Sequence, residues 1–87
     1  MKIKNDFILK EVAESYIVVA VGEAVKSFNG IINLNETGAF LWKILENGAT
    51  EEELVKKLLE EYDVDENTAK ADVNAFVKKL QEAKLVK

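Results

Sequence analysis

The 87-residue sequence contains no cysteine, histidine, proline or arginine. Without cysteine and histidine it cannot form disulfides, the usual zinc or iron–sulfur sites, or any catalytic arrangement built on histidine. No proline-rich linker divides it, and its length suits one small domain, so we predict a single domain over residues 1–87. The missing arginine removes the side chain that most often contacts guanine specifically.

The charge balance argues against a nucleic-acid partner. The formal net charge is −4, whereas binding to phosphate requires a surplus of positive charge. No apolar run approaches the roughly 20 residues that span a bilayer. The first segment, MKIKNDFILKEV, lacks the apolar core and the cleavage site of a signal peptide. We therefore expect a cytoplasmic protein that contacts neither membrane nor nucleic acid.

The first part of the chain has the composition of strands. FILKEV (7–12) and SYIVVAV (15–21) are separated by Ala13-Glu14, which predicts a tight hairpin. The second of these runs is apolar on both faces, which predicts the central strand. We expect a connection over 22–30, with a short extra strand near 25–28 and a turn at Asn29-Gly30. IINL (31–34) completes a predicted three-stranded antiparallel sheet.

The second part is rich in Glu, Lys, Leu and Ala with helical spacing, so we predict an α+β, winged-helix-like fold with three helices after the sheet. Each helix has a recognisable beginning. The predicted N-terminal residues are Asn35, Thr50 (in a capping box with Glu53) and Asp65. We expect the first helix to end near Glu46 and the third near Ala83, with Leu85 and Val86 folding back.

Polar residues in the chain have simple structural explanations. Asp63, Asp65 and Asn67 resemble the start of a calcium loop, but Thr68 replaces the required glycine and Asn74 the bidentate glutamate. The acidic runs of the second helix fit a solvated face. The hydroxyl groups have no histidine to act as a base. We expect no metal site, no cofactor and no catalytic activity.

The short run IINL (31–34) poses a different question, because it is apolar on both faces. Successive strand residues point to opposite sides, so Ile31 and Ile32 cannot face one core. An edge strand without charge, proline or bulge is open to pairing. Residues 1–6, residues 22–29 or a second copy of the chain could cover this edge. Alternatively, an extended peptide could add to it as a strand. The residues alone leave both readings open.

The order and spacing of these elements resemble the PqqD-like family over nearly the whole chain. The most specific segment is INLNETGAFLWKIL (32–45), a strand that leads through Leu-Asn into a helix entered by Thr-Gly. The second is YDVDENTAKADVNAFVKKL (62–80). Two features depart from the family pattern. The connection over 22–30 is long, which favours a peptide pathway other than that of pyrroloquinoline quinone, and Lys84 stands where relatives often have glycine.

The resemblance implies a non-catalytic adaptor that binds the leader of a ribosomally made precursor peptide. The leader would join the last strand beside the third helix and be presented to a modifying enzyme of the radical S-adenosylmethionine/SPASM type. The implied peptide-binding residues are Ile31, Ile32, Asn33, Leu34, Asp72, Ala75, Phe76 and Lys79. Whether Ile31 or Ile32 faces the peptide stays open. The oligomeric state, a monomer or a strand-swapped dimer, also stays open.

Two alternatives to this function remain. A winged-helix fold is usually associated with nucleic-acid binding or regulation, and its third helix would enter the major groove. Residues 65–82 carry four acidic and three basic side chains, which disfavours that reading. The other alternative is an interaction module whose partner is a protein rather than a leader peptide.

Overall fold

In the computed structural model, which describes residues 1–26 and 30–87, an antiparallel sheet precedes three helices. The α+β class and the order of elements are therefore as predicted from the sequence. The elements are β1 (Phe7–Val12), β2 (Ser15–Ala20), β3 (Ile32–Leu34), α1 (Glu36–Leu45), α2 (Glu51–Glu61) and α3 (Glu66–Glu82).

The strand order is β1-β2-β3, so the strand that is apolar on both faces lies at the centre, as predicted. A two-residue turn joins β1 to β2. Its residues, Ala13 (φ 49) and Glu14 (φ 69), are both left-handed, which identifies a type I′ turn. This turn makes Val12 and Ser15 the closing pair of the hairpin. The position of that pair determines the hydrogen-bonding pattern across the whole sheet.

The connection between β2 and β3 differs from the prediction. Gly22–Lys26 form a short 3-10 helix instead of the beginning of an extra strand. Gly22 adopts φ 60 and turns the chain away from the sheet, and both edges of β2 are already paired. The rest of the predicted extra strand, and Asn29 of the predicted turn, lie in residues 27–29, outside the described part. Strand β3 begins at Ile32, so Ile31 precedes the strand.

One face of the sheet packs on the helices. Val18 and Trp42 are completely buried, and Leu34 is 9% exposed. The helical spacing of the sequence predicts one apolar stripe on each of α2 and α3, and all of their residues except Leu59 belong to this core or pack against it. The stripes are Leu54, Val55, Leu58, Leu59 and Tyr62 on α2, and Ala69, Val73, Phe76, Val77 and Leu80 on α3. Each large aliphatic side chain buried in this way contributes about 1.5–3 kcal/mol. Leu59 is an exception to the predicted stripe, because it remains 37% exposed.

The two ends of the chain pair with each other. Ile3 forms a β-bridge with Val86, and the backbone N–H of Lys4 donates to the carbonyl of Leu85 at 2.9 Å. Leu85 is completely buried, which confirms the predicted return of the chain after α3. Residues 1–6 are thereby held against the C-terminal residues.

Helix α3 ends in a Schellman motif, in which a left-handed residue follows the last helical turn. The backbone N–H of Leu85 donates to the carbonyl of Leu80 at 2.9 Å, and that of Lys84 to the carbonyl of Gln81 at 3.1 Å. Lys84 has φ 61, the conformation that favours glycine. The motif directs Leu85 into the core.

Among the described residues, no helix combines the length and the apolar character needed to cross a bilayer.

We predict that Lys84→Gly stabilises the protein by about 1 kcal/mol, because glycine adopts the left-handed conformation without the steric cost of a Cβ. Chemical denaturation of the two proteins measures the difference. The control is Lys78→Gly, in the interior of α3, which should destabilise by about 1 kcal/mol. Equal effects of the two substitutions would contradict the role given to the backbone at Lys84.

Candidate functional site

Strand β3 is an edge of the sheet and points hydrogen-bonding groups away from β2. The closing pair of a type I′ hairpin is hydrogen-bonded, and bonded pairs alternate along antiparallel strands. The alternation directs the backbone of Tyr16 and Val18 toward β3, where they pair with Leu34 and Ile32. Asn33 lies opposite Ile17 in a non-bonded pair. Its N–H and C=O are therefore directed to the outer edge.

Neither described segment that could have covered this edge does so. Residues 1–6 are held by residues 85–87, with Lys87 donating to the carbonyl of Lys2 at 2.8 Å. The 3-10 helix Gly22–Lys26 lies beside Lys4 and the end of α3, with which Glu23 and Ala24 line a small depression. Within the described ranges, the second edge of β3 has no strand paired to it.

A groove of about 490 Å³ runs between β3 and α3. Its apolar floor comes from Leu34, Leu41 and Phe76, which are all at least nine-tenths buried. The small side chain of Ala75 keeps the α3 wall shallow. Asp72 and Lys79 lie two helical turns apart along that wall, about 10 Å by helix geometry. The groove thus combines an apolar floor, one acid and one base beside a free backbone edge.

The start of α1 closes one end of the groove. The side chain of Asn35 accepts a hydrogen bond from the backbone N–H of Gly38 at 2.7 Å, which begins the helix directly after β3. A Cβ at position 38 would lie 3.3 Å from the Cβ of Leu34 and 3.2 Å from Oδ1 of Asn35. Glycine therefore permits the close approach of α1 to β3, and the backbone at position 38 lines the groove.

The predicted start of α3 is confirmed by its geometry. The carboxylate of Asp65 accepts a hydrogen bond from the backbone N–H of Thr68 at 2.7 Å. This bond lowers the pKa of Asp65 below its ordinary value of 3.8. In α2, Thr50 and Glu53 form the predicted capping box, and the bond from the backbone N–H of Thr50 lowers the pKa of Glu53. Both acids thus have roles at helix ends.

The structure brings together six of the eight residues that the resemblance implied. Asn33, Leu34, Asp72, Ala75, Phe76 and Lys79 all line the groove. Ile31 and Ile32 do not. Ile32 is directed to the core side of the sheet and packs there, whereas Ile31 is 59% exposed just before the strand. Peptide binding by these eight residues stays a prediction.

Sequence reasoning missed four residues that also line the groove: Asn35, Thr37, Gly38 and Leu41. The sequence predicts Asn35 as a helix cap and includes Gly38 in a family segment, but neither pattern indicates a position beside α3. The available signal was the absence of a linker between β3 and α1, which forces the first turn of the helix to lie next to the strand.

A larger groove, of about 760 Å³, lies between α2 and α3. It has helices on both sides and no strand edge. The groove beside β3 is the better candidate for binding an extended peptide, because only strand-edge backbone groups can pair with a peptide irrespective of its sequence. Within the described ranges, no cluster of three or more acidic residues is arranged to hold a metal ion.

Comparison with known families decides the relationship. The family model described as "Coenzyme PQQ synthesis protein D (PqqD)" matches residues 8–86. The chain belongs to the PqqD family. This assignment agrees with the resemblance carried by the segments at 32–45 and 62–80. A search of curated proteins gave no match.

Two solved structures share the PqqD-family fold of this chain. The first, "TbiB1 in Complex with the TbiA(beta) Leader Peptide", has a TM-score of 0.78 at 24% identity and covers 100% of this chain and 95% of its own. The second, "Lasso peptide synthetase B1 complexed with the leader peptide", has a TM-score of 0.72 at 21% identity, and the match covers 93% of this chain and 89% of that chain. At these identities the similarity shows the fold.

We predict that the contribution of Asp65 to stability depends on pH. A carboxyl whose pKa is lowered by folding stabilises the protein above its unfolded pKa, and loses this effect as the pH falls through the folded pKa. Asp65→Asn keeps a cap but has no charge to interact with the helix dipole. The stability difference between the two proteins should therefore shrink as the pH falls below 3.8.

Urea denaturation at a series of pH values measures that difference, and NMR titration of the Asp65 carboxyl gives its pKa directly. A titration midpoint at or above 3.8, or a stability difference that grows in acid, would contradict the interaction.

Proposed function

We propose that this protein is a non-catalytic adaptor that binds the leader of a ribosomally made precursor peptide as an added strand on β3. The observation that carries the proposal is the outer edge of β3 beside the groove of α3, to which no strand of the described residues is paired. Two solved structures of the same fold are complexes with leader peptides, which supports the same class of ligand here. The bound leader would then be presented to a modifying enzyme.

The backbone of the leader would pair with Asn33, and with Ile31 if the peptide continues past the start of the strand. Asn33 stands in the register whose N–H and C=O groups point outward, and Ile31 would do so if the alternation continued one residue before the strand. Main-chain pairing supplies affinity that depends little on the sequence of the peptide. Ile32, two residues from Leu34 on the same face, packs against the core.

Side chains of the leader would supply specificity through the strand period of two. A leader residue opposite Asn33 places its side chain on the outer face of the sheet. Its two neighbours direct theirs toward the groove, where Leu41, Ala75 and Phe76 offer apolar contacts. Asp72 and Lys79, about 10 Å apart, match groups about three residues apart on an extended peptide. They would determine the direction and register of the leader.

The proposal extends to the partners. The modifying enzyme is proposed as a radical S-adenosylmethionine protein with a SPASM domain, by membership of the PqqD family. Among the residues that the structure describes, the groove contains one hydroxyl, that of Thr37, and the chain has no histidine to activate it, which supports a binding rather than a catalytic role. Nucleic-acid binding is less well supported, because the α3 flank that faces the groove balances Asp72 against Lys79.

We predict that a leader peptide perturbs one surface of the isotope-labelled protein. The probe is the short peptide encoded beside the gene, added in an NMR titration of amide shifts. Shifts should concentrate at residues 31–35 and 72–79, because these line the edge and the groove. The absence of shifts at high micromolar peptide, or shifts confined elsewhere, would refute binding at this site.

We further predict that Asn33→Pro lowers the affinity for the leader by about tenfold or more, because it removes one main-chain hydrogen bond and obstructs the edge. The N–H that it removes points away from β2, so the sheet should lose at most about 1 kcal/mol. Calorimetric titration measures the affinity, and thermal denaturation measures the stability.

The matched control for this substitution is Glu11→Pro. Glu11 lies opposite Tyr16 in a non-bonded register, so its N–H points outward at the other edge of the sheet. This control should bind the leader as the unmodified protein does. Equal loss of affinity in both variants would show that proline acts through the sheet rather than through the edge of β3.

A further inference from the structure

The groove between α2 and α3 is a second surface, separate from the groove to which the proposed function assigns the leader. Its floor is apolar and consists of Val55, Leu59 and Val73. Val73 is almost completely buried, but Leu59 is 37% exposed although it lies on the apolar stripe of α2. A leucine exposed between two helices leaves apolar surface that a partner can bury.

The rim of this groove is acidic. Four glutamates and two lysines line it, which gives a local charge of −2: Glu51, Glu52, Glu60, Glu66, Lys56 and Lys70. Two of the glutamates already have a basic partner: Glu66 lies 3.3 Å from Lys70, and Glu60 lies 3.9 Å from Lys57, which does not line the groove. In the described part of the chain, Glu51 and Glu52 have no lysine within ion-pair distance. The groove therefore favours a ligand with apolar and basic groups together.

The shape of the groove favours a helix as that ligand. It lies between two helices joined by the short connection of residues 62–65, and side chains of a third helix can fit between theirs. The 11 residues of α2 give it a length of about 16 Å, which is about three turns of a docked helix.

The two grooves use opposite flanks of α3. Lys70, Val73 and Asn74 face α2, whereas Asp72, Ala75 and Lys79 face β3. At 100° per residue, the centres of these two sets are separated by about 180° around the helix. A molecule in one groove would not occupy the other, and α3 forms a wall of both.

We propose that the α2–α3 groove binds a basic amphipathic helix of the partner protein that receives the leader. A second copy of this chain is disfavoured as the occupant, because a two-fold interface would place the acidic rim against itself. The identity of the partner rests on the proposed function. The recognition of a basic helix is independent of the proposed function and is tested separately.

The probe is a synthetic peptide of about 14 residues with leucine on one face of a helix and lysine on the other, added to the full isotope-labelled chain. Amide shifts should concentrate at residues 51–60 and 66–74. The same peptide with glutamate in place of lysine should bind at least about tenfold more weakly. Equal affinity for both peptides, or shifts centred on residues 31–35, would overturn the proposal.

Charge reversal tests the rim. The double variant Glu52→Lys/Glu60→Lys should reduce affinity for the lysine peptide by about tenfold. The control Glu61→Lys/Glu82→Lys makes the same change in net charge at exposed helix positions outside the groove. This control should change the affinity for the lysine peptide by less than about threefold. Circular dichroism confirms folding. Equal losses in the two variants would mean attraction to net charge only, and would overturn the proposal.

Substitution of the floor gives a test that leaves all charges in place. Leu59→Gln should weaken the peptide at least about fivefold, whereas Val12→Gln, at a 52% exposed position of β1, should not. Concentration-dependent shifts at residues 51–60 without peptide would indicate a second copy as occupant and overturn the proposal. If the unmodified protein binds the lysine peptide but not the leader, the proposed function is refuted and this inference stands.

Discussion

The direct junction between β3 and α1 is the constraint on which the candidate site depends. Leu34 ends the strand in the core, Asn35 caps the helix by accepting the Gly38 N–H at 2.7 Å, and no residue intervenes. Because Leu34 and the α1 residues Leu41 and Trp42 share one buried cluster, the strand cannot shift without disturbing the core. The outer edge of β3 is therefore held in a defined place relative to the helices.

The position of α3 is the second requirement, because this helix forms one wall of each groove. Asp65 caps its beginning, and the Schellman motif directs Leu85 into the core at its end. The bridge between Ile3 and Val86 then ties both chain ends to the structure. A rigid α3 matters for recognition, since side chains that are already positioned lose less conformational entropy when a ligand binds.

The elements and caps of this fold could be predicted from local patterns. The hairpin at Ala13-Glu14, the capping box of Thr50 and Glu53, and the cap at Asp65 each depend on neighbouring residues and were found correctly. The connection after β2 differs from the prediction: Val25 has strand propensity but lies in a 3-10 helix, because Gly22 turns the chain away from the sheet and both edges of β2 are already paired. Leu59 fits the apolar stripe of α2 and yet stays 37% exposed, because it lines the open groove between α2 and α3.

The sequence by itself determined the three main strands and the three helices, and that the chain contains neither cysteine nor histidine. Only the tertiary structure decided that Ile32 takes the core side, that Asn33 directs its backbone outward, and that the first turn of α1 lines a groove with α3. These outcomes depend on the register of three strands and on packing between residues some 40 positions apart. Local sequence encodes alternation and capping, whereas register is decided by which face of the whole sheet is buried.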